Sequence, residues 1–164
     1  MTVSPEELRS VLRQWASGIT VVTAGLEGVL HGMTVSSFAS VALEPPLISV
    51  NIERRTRTHS LMEEAGAFAV SILANDQQNL AQHFGGGIPD TEERLEGLPY
   101  QLGPLGSPLL EGCLASLECR VNAVLPAGTH SVFVGEVTMW DVQRGKAPLI
   151  YWDRDYRDLT GDTD

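Results

Sequence analysis

The sequence predicts a mainly β protein, an antiparallel barrel carrying a few short helices. Six or seven short stretches rich in β-branched and apolar residues are separated by turns containing Gly or Pro. From Ala115 to Ala123 the odd positions are apolar and the even positions polar, the period-two pattern of a strand with one wet face. No regular alternation of strands with long helices runs through the chain, which argues against a doubly wound parallel sheet.

The elements follow in order. Ser4-Pro5-Glu6-Glu7 reads as a capped helix start, with Pro in the first turn and Glu7 completing a capping box. Leu8, Val11, Leu12 and Trp15 recur at helical spacing, and Gly18 is the expected stop. This helix is expected on the surface, covering a sheet or a partner chain. Ile19 to Thr23 is a β-branched run and therefore a strand, and Gly25 to Gly28 is a turn. Val29 to Ser37 is a second strand that becomes polar at its end. Leu47 to Ile52 is a third, entered from Pro45-Pro46, which cannot sit in a central ladder. Phe68 to Leu73 is a fourth. Short helices are expected over Thr58 to Glu64 and Asp76 to Phe84. Gly85 to Gly106 holds six glycines and three prolines and reads as a long loop. After the alternating strand, Pro126-Ala127-Gly128 turns into a last long strand, Ser131 to Val142. The aspartates from Asp153 to Asp164 read as a solvated tail or face.

Length and charge limit the function. The 164 residues suit one domain rather than two. An apolar fraction of 43% supports a packed core. Eleven basic against 21 acidic residues leave a net charge of −10, which disfavours nucleic acid and anionic membranes as partners. Any phosphate must therefore be held by a local exception to the global charge. The N-terminal residues lack the pattern of a signal peptide, and no apolar run approaches a membrane span, so a cytoplasmic protein is expected. Cys113 and Cys119, if on one straight strand, stand about 20 Å apart, too far for a disulfide, and are expected to be reduced core thiols.

The sequence contains no phosphate-binding P-loop, no dinucleotide glycine fingerprint, no HExxH and no GxSxG, and its four histidines lack metal-ligand spacing, so no metal is expected. Two stretches stand out. Gly32 to Ser40 places Thr34, Ser36, Ser37 and Ser40 at a strand end. Uncharged donors and acceptors there suit an amide-rich heteroaromatic ring, although a Ser/Thr-rich strand facing water has the same composition. Arg54-Arg55-Thr56-Arg57-Thr58 puts three of the eleven basic residues within four positions at a helix start. Those are the parts of a phosphate site, or equally of a solvated charge run.

In this order and spacing, the segments from about Leu8 to Leu159 resemble the flavin reductase family with the FMN-binding split-barrel fold, whose members include the small reductase components of two-component flavin monooxygenases. Leu12 to Thr23 is similar to the family's opening helix and Gly-Ile/Val-Thr-Val-Val-Thr strand. Residues 32–38 with Ser40-Val41 resemble its Gly-Met-Thr-x-x-x-Phe-x-Ser-Val/Leu flavin segment, and Glu44 to Ile48 its Pro-Pro-Leu turn. Thr56-x-Thr58 falls where the family has a phosphate clamp. Phe68 to Leu73 and Leu80 to Phe84 resemble its later strand and helix. Gly128-Thr129-His130 lies where many members carry Gly-Asp-His, and Pro148 to Leu159 resembles the closing segment.

The resemblance implies an antiparallel Greek-key split β-barrel, one domain over 1–164 with its core at about 8–159. It implies FMN or FAD bound in a cleft of a homodimer, with NADH or NADPH as co-substrate. Thr34, Val35, Ser36, Ser37 and Ser40 would face the flavin ring. Arg55, Thr56 and Thr58 would hold its phosphate, and Phe84-Gly85 would close over it. His130 would sit by the nicotinamide. No residue is implied as a chemical catalyst, because hydride passes directly between the cofactors. The implied activity is an NAD(P)H:flavin oxidoreductase that supplies reduced flavin to a separate oxygenase. Thr129 departs from the family's acidic residue and leaves room for a non-catalytic flavin carrier or sensor. Trp152, where several members have a smaller or polar residue, suits the nicotinamide side, a dimer seam or the core.

Overall fold

The computed structural model describes residues 3–86 and 93–159. In chain order, helix α1 (Pro5–Leu12) precedes strands β1 (Ser17–Gly18), β2 (Thr20–Leu26), β3 (Val29–Val35), β4 (Ala39–Ala42) and β5 (Leu47–Glu53). Helix α2 (Arg57–Ala65) precedes β6 (Ala67–Ile72), and a 3-10 turn at Asn75–Gln77 runs into α3 (Gln78–Phe84). Strands β7 (Tyr100–Leu102), β8 (Pro108–Leu110), β9 (Ala115–Ala127), β10 (His130–Val142), β11 (Ile150–Trp152) and β12 (Asp155–Arg157) follow.

Seven strands form one antiparallel sheet in the order β3-β2-β6-β9-β10-β5-β4. The sheet curls back on itself, as the expected split barrel requires. Just beyond β3, the Ser37 hydroxyl accepts the N–H of Asn51 in β5 at 2.9 Å and lies 3.2 Å from its carbonyl. Val22, Val50, Ile52, Phe68, Val70 and Phe133 fill the interior. Each such side chain contributes roughly 1.5–3 kcal/mol by burial. Gly135 leaves the room that Phe68 occupies, since a Cβ there would come 2.5 Å from the Phe68 ring. Helix α2 packs on β2, β3, β5 and β6 and buries Leu61 and Met62. Thr56 caps its start, and Gly66 ends it in the left-handed region at φ 63°.

A second core lies outside the barrel wall. Ile19, Val21, Leu73, Ala81, Phe84, Leu95 and Leu149 pack there beneath α3 and the segment that follows it. Strand β2 is therefore covered on both faces, which accounts for a β-branched run without alternation.

Several expectations need correction. Helix α1 has the predicted capping box at Ser4 and Glu7, but it ends at Leu12, and Gly18 pairs with Ile150 in a small sheet. The helix buries none of its residues within the chain, and Trp15 beyond it is 76% exposed. The first turn narrows to Glu27-Gly28, both at positive φ, as a tight hairpin requires. Strand β4 was not foreseen, being too short for a period to show. Pro126 and Ala127 lie within β9, so the turn is Gly128-Thr129. The long loop contains the β7–β8 hairpin, and residues 87–92 of it lie outside the described residues. Of the alternatives of a solvated tail or face, Asp153 and Asp155 fit the second, standing exposed on the β11–β12 hairpin, while Asp162 and Asp164 lie outside the described residues.

The wet face expected of β9 is dry at its start. Ser116 and Glu118 are buried, because the chain from Gly103 to Leu110 crosses over them. The Glu118 carboxylate accepts the N–H of Leu105 at 2.9 Å and of Ser107 at 3.0 Å. Two charge-assisted bonds offset the cost of burying it. Only from Arg120 and Asn122 onward do the polar positions face water. Cys113 and Cys119 are buried and free, as expected. Burial raises the pKa of both thiols, that of Cys119 to about 12. Among the described residues no helix is long and apolar enough to cross a membrane.

Candidate functional site

The polar end of β3 opens into a cleft of about 640 Å³. Strand register builds it: β10 pairs with β5 so that His130 stands opposite Glu53 and Val132 opposite Asn51. The floor and walls are Met33, Thr34, Val35, Ser36, Ser37, Asn51, His130 and Val132, and Leu8 and Leu12 of α1 form an edge. The hydroxyl segment and His130, 94 positions apart when counted from Ser36, thus meet in one place. Ligand pockets typically enclose roughly 300–1,000 Å³. The size and the uncharged donors and acceptors fit a flavin ring with its imide and carbonyl edge.

The hydroxyls differ in what they already do. Thr34 donates to the carbonyl of Ala81 in α3 at 2.7 Å. Ser37 is held by Asn51, and Ser36 is exposed. Val35 turns into the barrel core. Ser40 is exposed on β4 opposite Ile48 and does not line the cleft. The Thr129 hydroxyl lies 2.9 Å from Nδ1 of the exposed His130. The position that departs from the family's acid therefore still supplies a partner for the imidazole.

The basic corner adjoins His130. The Arg54 N–H donates to the Thr129 carbonyl at 3.0 Å, and its guanidinium donates to Gly128. The other cations also have partners: Arg55 pairs with Glu53 at 2.5 Å and Arg57 with Glu93 at 3.5 Å. Thr56 accepts the His59 N–H at 3.3 Å and donates to Glu53 at 2.8 Å. Thr58 is fully buried, its hydroxyl 2.8 Å from Nδ1 of His31. Its side chain is thus turned inward rather than toward a phosphate. Phe84 is likewise a core residue, packed where a Cβ on Gly32 would come 3.2 Å from its ring, and Gly85 after it is exposed. Trp152 is 40% exposed, with the Arg157 guanidinium 5.8 Å from its ring centre.

Sequence reasoning missed Asn51, Met33 and Val132. Met33 lies in the flagged segment on β3, whereas Asn51 and Val132 sit on strands that read simply as core, and the register of β5 against β10 places those two side by side at the cleft.

Fold and site together define a split-barrel protein with a ligand-sized, hydroxyl-lined cleft at the barrel mouth. The chain belongs to the family described as the flavin reductase like domain, whose model matches residues 12–160. It is 34% identical over 160 residues to the reductase subunit HsaB of a flavin-dependent monooxygenase from Rhodococcus jostii, covering 98% of this chain and 80% of that one. It is 38% identical over 160 residues to an NADH-dependent flavin reductase from a Rhodococcus species, covering 96% and 88%. Among solved structures it is similar to the NADH:FAD oxidoreductase SgcE6 of Streptomyces globisporus, with TM-score 0.90, 30% identity and 98% of each chain covered. The flavin reductase component BorF of a bacterial two-component tryptophan halogenase matches with TM-score 0.88 at 35% identity, covering 97% and 100%.

Proposed function

We propose that this protein is an NAD(P)H:flavin oxidoreductase that reduces FMN or FAD and hands the reduced flavin to a separate monooxygenase. The observation that carries the reading is the cleft that joins Thr34–Ser37 to His130. Relatives named as reductase subunits of two-component monooxygenases support the oxygenase partner. A structural relative solved with NAD and FAD fragments, and another named NADH-dependent, support NADH and FAD as ligands.

When bound, a flavin supplies the acceptor for a hydride from the reduced nicotinamide. The chain's own part is to bind and orient. Ser36 would present its hydroxyl to the polar edge of the ring, where a donated hydrogen bond favours added negative charge, while Thr34 and Ser37, bonded to Ala81 and Asn51, shape the cleft beside it. His130, held by Thr129, orients the carboxamide or ribose of the nicotinamide. Arg55 and Thr56 hold the flavin phosphate. Thr58 acts from beneath as a positioning residue, fixing the start of α2 through His31. Ser40 and Gly85 stand at the margin, and Phe84 backs β3.

Residues 1–164 act as one domain with its core at about 8–159, and the working form is a homodimer. Exposed apolar side chains on α1 and the β4–β5 turn, Val11 and Leu43, support a covering second copy. Reduced buried thiols and dependence on NAD(P)H support a cytoplasmic location. The reductase names of the relatives favour the reductase reading over a non-catalytic flavin carrier or sensor.

The test is the loss of reduced-nicotinamide absorbance with FMN, FAD or riboflavin added in turn. Flavin-dependent oxidation of NADH or NADPH is expected. Tight flavin binding without any oxidation makes the protein a flavin binder instead.

A further inference from the structure

A second cavity, of about 420 Å³, lies against the outer face of α3, and no residue lines both it and the ring cleft. It has the size of an ordinary ligand pocket. Its walls are Leu80, Leu98, Pro99 and Leu110, brought together where α3 packs beside the β7–β8 hairpin. Its polar groups are mainly acceptors. Asp76 and Glu111 belong to the lining, which among the described residues holds no Lys or Arg. Asp76 meets Lys146 at 3.0 Å through Oδ2, and Glu111 accepts from the Gln101 amide at 3.4 Å through Oε1, which leaves one oxygen of each to a ligand. His83 completes the set. Its Nε2 lies 2.7 Å from the Arg94 carbonyl, which can only accept, so Nε2 carries the proton and the neutral ring keeps Nδ1 as an acceptor. Of the two amides in the lining, that of Gln77 accepts the Ala74 N–H at 3.0 Å and donates to the Glu111 carbonyl at 3.2 Å, and that of Asn79 is exposed. Apolar walls with spare acceptors select a small ring that brings its own donors. Two carboxylates on a chain of net charge −10 disfavour an anion there.

The cavity is also tied to the ring cleft. Arg94, whose carbonyl holds His83, is buried, and its guanidinium donates to the carbonyls of Phe84 at 3.2 Å and Gly32 at 3.4 Å. Gly32 directly precedes Met33, where the lining of the cleft begins. On α3, Leu80 and His83 line the cavity, while the Ala81 carbonyl holds the Thr34 hydroxyl at 2.7 Å. We infer that this cavity binds a small, uncharged or cationic aromatic compound bearing a hydroxyl or amine, and that its occupancy raises the affinity of the ring cleft for flavin through α3 and Arg94. A ligand against Leu80 and His83 favours the arrangement in which Arg94 spans α3 and β3, and the same arrangement fixes the Thr34 end of the cleft. The effect is mutual, so flavin tightens the ring compound by the same factor. Binding in the cavity stands apart from the reductase reading, and only the coupling rests on flavin occupying the cleft.

Phenol, benzylamine and benzoate are similar in size and differ in donor and charge. Each is titrated at millimolar concentration into isotopically labelled protein without flavin, and binding is followed by amide chemical shifts. Phenol and benzylamine are expected to move the resonances of Leu80, His83, Leu98 and Glu111, and benzoate to bind about tenfold more weakly than benzylamine, the scale of one charge-assisted contact. Asn79→Trp, which fills the cavity from an exposed position, is expected to abolish these shifts while the rest of the spectrum keeps its folded dispersion. Glu111→Gln is expected to weaken benzylamine more than phenol. FMN is then titrated by flavin fluorescence with and without saturating benzylamine, and its affinity is expected to rise about fivefold, the low end of ordinary coupling between sites. Arg94→Lys places the charge on a single nitrogen in place of the guanidinium fork. That variant is expected to bind benzylamine, which shows it folded, and to lose the gain in FMN affinity. Absence of shifts at the cavity, benzoate bound as tightly as benzylamine, or binding unaffected by Asn79→Trp overturns the site. An FMN affinity that benzylamine leaves unchanged or lowers, or a full gain kept in Arg94→Lys, overturns the coupling. Wild type that binds benzylamine at the cavity but no FMN refutes the reductase reading and the coupling that rests on it, and leaves the site standing.

Discussion

The hydroxyl end of β3 and the arginine-rich corner after β5 look alike as residue lists. Each is a short polar cluster at the end of a strand. In the folded chain they part company. The first opens into a cleft of about 640 Å³ with Ser36 exposed to it. The second spends much of its capacity on the chain: Arg54 on the β9–β10 turn, Arg55 on Glu53, Arg57 on Glu93, Thr56 on the helix cap and Thr58 on His31. A polar cluster becomes a recognition site through donors left over after folding, not through donors present in the sequence. The outer cavity makes the same point from the other side, since His83 and Glu111 are distant in sequence yet line one space.

Glu118 is the most committed polar side chain, fully buried with two backbone N–H groups directed at it. Glu118→Ala strands both donors and is expected to lower stability by roughly 3 kcal/mol, read as a lower urea midpoint with flavin affinity preserved in the folded fraction. Unchanged stability would mean that water replaces the carboxylate. Thr58→Ala, which removes one bond of a buried imidazole, is expected to cost about 1–3 kcal/mol. Its effect on stability should exceed its effect on FMN affinity. A pure loss of FMN binding would return Thr58 to the phosphate.

Groups proposed to meet the ligand should show the reverse pattern, even where, as at Arg55 and Thr56, they also bond the chain. Changing Arg55 and Thr56 together to Ala is expected to weaken FMN more than riboflavin, by about 1.5 kcal/mol, the low end of the range because Arg55 is largely in water. Equal losses for the two flavins would remove the phosphate role. His130→Ala is expected to raise the nicotinamide KM about tenfold, the scale of one lost hydrogen bond, with flavin affinity spared. Thr129→Ala should move the same parameter less, since it only frees the imidazole.

The smallest expected signal is chemical silence. Burial holds the Cys113 thiol above its ordinary pKa and that of Cys119 at about 12. A thiol reagent at about pH 8 should therefore label neither in the folded protein, since the thiolate is the reactive form. The raised pKa also sets a sign. The neutral thiol of Cys119 is favoured on folding, so its contribution to stability is complete below the unfolded pKa of roughly 8.5. That contribution is lost as pH rises toward about 12. Rapid labelling at neutral pH would mean that the barrel wall opens locally.

Local signals were legible where chemistry acts over a few residues. The capping box at Ser4, the β-branched run into β2 and the strand that carries Thr34 to its polar end could all be read in order. So could the charge exception at Arg54 to Arg57, and the ordered motifs that pointed to the family. What could not be read depends on contacts between distant segments. Alternation in β9 predicted a wet face that the chain from Gly103 to Leu110 covers, because a crossing segment leaves no mark on the period it buries. The inward turn of Thr58 and of Phe84 is set by His31 and Gly32 on β3.

By itself the sequence determined the mainly β class, the strand and helix order and the residue types of both polar clusters, since these follow from propensity, period and local capping. The tertiary structure alone decided which polar groups remain free. Strand register brought Asn51 and His130 to the hydroxyl segment, and the packing of α3 beside the β7–β8 hairpin formed the outer cavity. Burial and hydrogen-bond satisfaction are properties of neighbours in space, and a strand shifted by one residue would turn Asn51 or His130 to the other face.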